Sequence, residues 1–275
     1  MNASSDRPIG MFDSGFGGLT VARAAIDLLP DEKLIYIGDT ARYPYGPKPA
    51  KDVRGFAIEL ATSLVRDFDV KLIVVACNTA ASVALGELQR SLAVPVIGVV
   101  EPGARALIRQ TRNKRVGVIG TTGTIDSGAY DAAVKDAANE LGESINLITV
   151  ACPGFVEFVE RDETSGSAVT ELARRLLAPM REAEVDALLL GCTHYPYLRD
   201  VIGQVLGSDV RLVDSALVTA ITVRQTLADL DLVRVATRGE VVTRDFYSSG
   251  DAAHFFNLGR RFLGPELTNA KAWPI

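Results

Sequence analysis

Cysteine and histidine are scarce in this chain, and their scarcity narrows the chemistry that it can support. Three of the 275 residues are cysteine and two are histidine, and no two cysteines form a CxxC pair. A disulfide framework and a structural zinc site both need clusters of these residues. We therefore expect neither, and we expect no metal in the functional site.

Long apolar runs and long basic runs are also absent. No apolar run approaches the roughly 18 residues that span a bilayer, and the segment before Ile9 has no apolar signal-peptide core. The net charge is −5, so nucleic acid is not an expected partner. These absences predict a cytoplasmic protein that does not associate with membranes.

The chain contains instead a regular alternation of apolar strands and amphipathic helices. Strands are predicted at residues 9–12, 34–37, 72–76, 95–100, 116–119, 147–150, 188–190 and 210–213. Helices are predicted between most of them, for example at 51–68 and 167–181. Continuous apolar strands separated by helices are typical of parallel sheets covered on both faces. The pattern predicts a doubly wound α/β fold.

The strand ends recur in the second half of the chain in the same order. The run that begins at Ile9 matches the run at Val116, and the run at Leu34 matches the run at Leu147, with offsets of 107 and 113 residues. An ordered offset that drifts slightly indicates two copies of one fold with small insertions. We therefore predict two pseudo-twofold-related parallel-sheet domains with the active site in the cleft between them.

The repeat also predicts domain boundaries. Residues 1–99 and 210–275 are expected to form the first α/β domain, which carries Asp13 and Cys77. Residues 100–209 are expected to form the second, which carries Cys192 and His194.

Cys77 and Cys192 end matching apolar runs that lie 115 residues apart. Open α/β sheets place ligands at the carboxyl ends of their strands, and a helix N-terminus there would lower the pKa of a thiol. A lone cysteine at such a position is usually a small buried hydrophobe. A matched pair instead favours two opposed thiols that remove a proton from one face of a carbon and return it to the other. Cys152 lacks similar polar neighbours and is interpreted as structural.

Four motifs in a fixed order carry a family resemblance. They are Asp13-Ser-Gly-Phe-Gly-Gly, Gly38-Asp-Thr-Ala-Arg-Tyr-Pro-Tyr-Gly, Ala76-Cys-Asn-Thr-Ala and Gly191-Cys-Thr-His-Tyr-Pro. Together they resemble the glutamate racemases of the two-cysteine Asp/Glu racemase family. The resemblance implies a homodimeric, cofactor-independent isomerase that interconverts L-glutamate and D-glutamate, a precursor of bacterial peptidoglycan.

The resemblance also implies five catalytic residues: Cys77, Cys192, Asp13, His194 and Glu160. In the family, the position of Asp13 serves the first thiol and that of His194 serves the second. Asp13 could instead cap the following helix, and His194 could merely stabilise the turn after Cys192. The segment 152–160 departs from the commonest family form, which has proline where Glu157 stands, so Glu157 stays an alternative to Glu160.

Substrate binding needs donors that meet the substrate carboxylate as charge develops there. Polar side chains of the right type cluster at predicted strand ends: Ser14, Asn78, Thr79, Thr121 and Thr193. The resemblance adds the backbone amides of Tyr45 and Gly46 and the side chains of Asp13, Asp39 and His194.

No cofactor is expected. The glycines of segment 15–18 lack both the GxGxxG spacing and a P-loop lysine, and no lysine lies in a motif that resembles a pyridoxal phosphate site. We interpret the glycines as a tight turn that approaches a small carboxylate substrate.

Three other functions stay open on sequence alone. An aspartate racemase or another two-cysteine amino-acid racemase would differ in pocket length. A non-catalytic amino-acid-binding module would share the two α/β lobes but would not need paired thiols. A thiol redox enzyme would be expected to carry a resolving cysteine close to each thiol.

Overall fold

The computed structural model describes residues 5–237 and 239–273. Within them the chain forms two compact units. The first contains the chain up to Val99 and from Ala216 onward, and the second is Val100–Ser215. The chain thus returns to the first unit after Ser215 and not after residue 209, because the strand Arg211–Asp214 belongs to the second sheet.

Ten strands lie in the described residues and form two sheets. They are β1 Ile9–Asp13, β2 Leu34–Gly38, β3 Leu72–Val75, β4 Val96–Gly98, β5 Arg115–Gly120, β6 Asn146–Ala151, β7 Ala187–Gly191, β8 Arg211–Asp214, β9 Arg244–Ser248 and β10 Lys271–Ala272. The first unit holds the order β10-β9-β2-β1-β3-β4 and the second holds β6-β5-β7-β8. Every pairing is parallel, which confirms the predicted α/β class.

Both sheets share one strand order. β2-β1-β3-β4 in the first unit corresponds to β6-β5-β7-β8 in the second, and the offsets in the sequence pair the same strands. β9 and β10 extend only the first sheet. Parallel strands need crossover connections, and the helices between consecutive strands supply them.

Twelve helices accompany the strands in the described residues. They are α1 Leu19–Leu28, α2 Ala50–Phe68, α3 Asn78–Ser91, α4 Val100–Gln110, α5 Thr122–Asp126, α6 Ala129–Glu140, α7 Phe155–Glu160, α8 Ser167–Leu176, α9 Ala178–Glu182, α10 Arg199–Leu206, α11 Ser215–Asp229 and α12 Ala252–Leu263. Short 3-10 helices lie at Thr40–Arg42, Tyr195–Leu198 and Gly264–Glu266. Within this part of the chain, none of the helices has the length and apolar character needed to cross a bilayer.

Two predicted elements differ from the structure. The strand predicted at 95–100 is only Val96–Gly98, because α4 already begins at Val100. The helix predicted at 167–181 is broken into α8 and α9, with Pro179 in the first turn of α9. Proline fits a first helical turn but lacks the N–H that a continuous helix would need.

The buried face of α2 shows how the sequence pattern directs packing. Val53, Ala57, Leu60 and Leu64 are all fully buried, at the three- and four-residue spacing of one helix face. The helix ends where Asp69 adopts a left-handed conformation, with φ of 47°, and donates its N–H to the Val65 carbonyl. This packing covers one face of the first sheet.

Candidate active site

Cys77 lies between β3 and α3, at the carboxyl edge of the first sheet. Its sulfur is the N-cap of α3 and accepts the N–H of Ala80 at 3.5 Å. The Cys77 thiol also donates to the Ser14 hydroxyl, which follows β1 and lies 3.6 Å away. The residue is only 5% exposed. The thiol therefore lies at a strand end beside a helix N-terminus, as the sequence predicts.

The protonation of Cys77 is the opposite of the expectation. Burial, followed by the negative charge of Asp13, raises the pKa of Cys77 to about 12. The hydrogen bonds with Ala80 and Ser14 act in the other direction, but they do not replace the lost hydration of a thiolate. Burial and the charge of Asp13 thus both favour the thiol form of Cys77 over the thiolate.

Asp13 ends β1 and is 1% exposed. Its Oδ2 accepts the N–H of Gly15 at 2.8 Å. It does not cap α1, because that helix begins at Leu19 with Gly18 in the cap position and no side-chain cap. A Cβ atom on Gly18 would lie 2.5 Å from the Cβ of Asp13. The glycines of this turn thus let the backbone pass close to Asp13.

Asp39 follows β2, and its side chain is fully buried. Its Oδ2 accepts hydrogen bonds from the Tyr45 hydroxyl and from Nε of Arg42, the latter at 2.7 Å. Its Oδ1 accepts the hydroxyl of Ser249 at 2.6 Å. Tyr45 is 1% exposed, and burial, followed by the charge of Asp39, raises the pKa of its phenol. Gly46 follows directly and is half-buried.

Cys192 directly follows β7 in the second unit and is 6% exposed. Its sulfur lies 4.0 Å from Nδ1 of His194, and Nε2 of His194 lies 3.6 Å from Oε1 of Glu160. Catalytic hydrogen bonds are often long before substrate binds. A thiol, an imidazole and a carboxylate thus form a connected series in this unit.

The segment after Cys192 does not begin with an α-helix. A 3-10 helix, Tyr195–Leu198, follows the thiol, and α10 begins only at Arg199. Pro196 lies in the first turn of the 3-10 helix. The expected α-helix N-terminus beside a thiol is therefore found at Cys77 and not at Cys192.

The geometry distinguishes the two candidate glutamates. Glu160 is the last residue of α7 and approaches His194, whereas Glu157 is exposed to solvent. Cys152 is 1% exposed, and burial alone raises the pKa of its thiol to about 12. Its sulfur contacts the Val150 carbonyl at 3.9 Å, in agreement with a structural role.

The remaining predicted side chains lie at the carboxyl ends of strands in their own units. Asn78 and Thr79 are buried in the first turn of α3, and Thr193 is 7% exposed beside Cys192. Thr121 caps α5 and accepts the N–H of Thr124 at 3.2 Å. Residues 5–237 and 239–273 contain no group of three or more His, Cys, Asp or Glu residues that could hold a metal ion.

Sequence reasoning missed two partners of Asp39. Arg42 lies three residues further along the same motif, so its spacing could have indicated an ion pair. Ser249 lies 210 residues away in sequence, and no local pattern connects it to Asp39. Only the pairing of β9 with β2 brings it there.

Comparisons with known proteins identify the family of the chain. A family profile described as Asp/Glu/Hydantoin racemase matches residues 19–223. A glutamate racemase from Parafrankia sp. (strain EAN1pec) is 48% identical over 270 residues, which cover 98% of this chain and 95% of that relative.

Two solved structures are similar over 98% of both chains. A glutamate racemase isoform from Bacillus anthracis has a TM-score of 0.88 at 37% identity. A glutamate racemase from Francisella tularensis in complex with D-glutamate has a TM-score of 0.89 at 34% identity. With its two matched strand-end thiols and these similarities, the chain belongs to the Asp/Glu/Hydantoin racemase family.

Proposed function

We propose that this racemase interconverts L-glutamate and D-glutamate. The proposal is carried by one observation: each unit places a buried thiol after an equivalent strand, with an acid or base beside it. Cys77 has Asp13, and Cys192 has His194. The choice of glutamate is supported by the Parafrankia relative and by the Francisella structure that contains D-glutamate.

The two thiols act on the same α-carbon from opposite faces. A single base would return the α-proton to the face from which it came. In our proposal one sulfur, as thiolate, takes the α-proton and becomes a thiol, and the electron pair of the C–H bond stays on the α-carbon. The other thiol then gives its proton to the opposite face and becomes the thiolate. Cys77 and Cys192 exchange these roles for the other enantiomer, and the step balances with the two sulfurs alone.

In our proposal Asp13 exchanges a proton with Cys77. Burial, followed by the charge of Asp13, raises the pKa of Cys77 to about 12, so we expect Cys77 to rest as a thiol that can donate its proton. To act as a base it must first lose its proton, and Asp13 is the neighbouring carboxylate that can accept it. The ammonium group of a bound amino acid would offset the negative charge that disfavours the Cys77 thiolate.

His194 relays the proton of Cys192, and Glu160 orients the imidazole. One ring nitrogen faces the sulfur and the other faces the carboxylate. A carboxylate that faces the far nitrogen fixes the orientation of the ring. The two units therefore use different groups for the same task.

Binding of the substrate needs polar groups that hold its two carboxylates. We propose that the polar side chains at the strand ends and the backbone amides of the Tyr45–Gly46 turn hold the carboxylates. The side chains are Ser14, Asn78, Thr79, Thr121 and Thr193. The D-glutamate product would supply peptidoglycan synthesis in the cytoplasm, and we propose a homodimer, which sedimentation analysis would test.

Circular dichroism of the substrate tests the proposed function. Wild type should interconvert both glutamates without added cofactor and leave both aspartates unchanged. Cys77→Ala and Cys192→Ala should each abolish turnover, and Cys152→Ala, the matched control, should keep it. Turnover of the aspartates alone would refute the choice of substrate. Wild-type turnover by either of the first two variants would refute the two-thiol mechanism.

A further inference from the structure

We infer that Ser249 is a positioning residue for the reaction: through Asp39, it holds the turn that carries the Tyr45 and Gly46 amides. The inference rests on the proposed function, in which these amides bind the substrate. In this inference Asp39 and Asp13 have different roles. Asp39 holds the turn, whereas Asp13 exchanges a proton with Cys77.

The carboxylate of Asp39 is already occupied by donors of the protein. Ser249 donates to one oxygen at 2.6 Å, and Arg42 and Tyr45 donate to the other. Hydrogen bonds to a carboxylate are among the strong ones in proteins. A fully buried carboxylate bound from both sides is suited to fixing its partners in place.

Strand pairing places Ser249 beside Asp39. β9 pairs with β2 in a register that matches Ser248 with Gly38, and the N–H of Ser249 donates to the Gly38 carbonyl at 3.0 Å. The Ser249 hydroxyl accepts the N–H of Ala41 at 3.1 Å while it donates to Asp39. A hydroxyl can do both at once, so its orientation is fixed.

Tyr45 is held both by apolar packing of its ring and by the hydrogen bond from its hydroxyl to Asp39. The Tyr45 ring packs against the ring of Phe56 from α2, with centroids 5.6 Å apart. The Arg42 guanidinium lies 4.4 Å from the centre of the Phe56 ring. Ring packing keeps Arg42 and Tyr45 close to Phe56 but is not strongly directional. The hydrogen bonds to Asp39 are directional, and in our inference they fix the orientation of the turn.

The second unit lacks this arrangement. In the part of the chain that the structure describes, its sheet ends at β6, with no strand that corresponds to β9. At the repeat offset of 113 residues, the position of Asp39 is taken by Cys152, a buried thiol. The hydrogen bond between Ser249 and Asp39 is therefore a feature of the first unit.

The kinetics of Ser249→Ala test this inference. We expect KM for both glutamate enantiomers to rise about threefold to tenfold, which matches the net contribution of one typical hydrogen bond, with kcat within about twofold of wild type. Ser249→Thr keeps the hydroxyl and should restore KM. Ser248→Ala is the matched control. It removes the hydrogen bond between the neighbouring hydroxyl of Ser248 and Thr40 Oγ1, 2.6 Å apart, and leaves the hydrogen bonds to Asp39 in place. Its KM should stay within about twofold.

A double-mutant cycle with Tyr45→Phe adds a second readout. Because both residues act through Asp39, the combined variant should raise KM by less than the product of the two single effects. An unchanged KM in Ser249→Ala, an equal rise in Ser248→Ala, or fully multiplicative effects would each overturn the inference. If wild type does not racemise glutamate, the proposed function fails, and this inference fails with it. If wild type is active and only the Ser249 results fail, the proposed function stands.

Discussion

Nε2 of His194 lies 3.6 Å from Oε1 of Glu160. Since Nδ1 of the same ring faces the sulfur of Cys192, the carboxylate acts on the thiol only through the imidazole. We therefore propose that Glu160 is a positioning residue, and its effect should be directional.

Glu160→Gln should lower kcat in the direction that uses Cys192 as the base, by about tenfold or more, because the imidazole loses the carboxylate that orients it toward the sulfur. The other direction should be less affected. Measuring kcat separately from L-glutamate and D-glutamate checks this. Glu157→Gln, at an exposed position on the same helix, should behave as wild type. An equal loss in both glutamine variants would contradict the role of Glu160.

Asp13→Asn should separate thiol reactivity from catalysis. The charge of Asp13 raises the pKa of Cys77, so the neutral amide should lower that pKa and increase the thiolate fraction at pH 8. Alkylation of Cys77 by iodoacetamide, followed by mass spectrometry, should become faster while racemisation becomes slower. Cys152, whose pKa is raised by burial alone, provides an internal control with an unchanged rate. Slower alkylation of Cys77 would show that Asp13 acts differently.

The eight strands of the two repeats were predictable because buried parallel strands are continuous apolar runs with turns at both ends. β9 could not be predicted in this way, because Arg244–Ser248 mixes charged and aromatic residues and is not a continuous apolar run. β10 is only two residues long. Its pairing depends on β9 and not on its own sequence.

The candidate site was predictable where residues are close in sequence to the strand ends. Cys77, Cys192 and their neighbours follow from local motifs. The raised pKa of Cys77 was not predictable, because it depends on how completely tertiary packing removes water from the sulfur. The bond between Ser249 and Asp39 also needs the fold, since it joins residues 210 positions apart.

The alkaline stability of the protein should depend on Cys152. Its pKa is about 12 in the folded state, against an ordinary value of 9.0, so the buried thiol form favours folding. This contribution is complete below pH 9 and is lost as the pH rises towards 12, on the order of 1 kcal/mol per pH unit. Cys152→Ala should therefore lose less thermal stability than wild type between pH 9 and 12. If the Tm of the two proteins falls equally between pH 9 and 12, the Cys152 thiol does not contribute to the alkaline loss of stability.

Gly18→Ala should destabilise the protein by about 1–3 kcal/mol. The new methyl group would lie 2.5 Å from the Cβ of Asp13 and 2.9 Å from that of Ala76, and neither atom can move without its backbone. Gly55→Ala is the matched control: nothing lies within 4 Å of its Cβ position in α2, so it should stabilise by about 0.5–1 kcal/mol. Urea unfolding measures both, and equal effects would argue against the close approach at Asp13.

The position of solvent deuterium tests most directly the claim that two thiols act on one carbon. L-Glutamate is incubated with wild type in heavy water, and both enantiomers are analysed during the first few per cent of conversion. Our account predicts deuterium at the α-carbon of the D-glutamate that forms and almost none in the remaining L-glutamate, with the mirror result from D-glutamate. Equal early labelling of substrate and product would indicate one base that serves both faces, and would contradict the account.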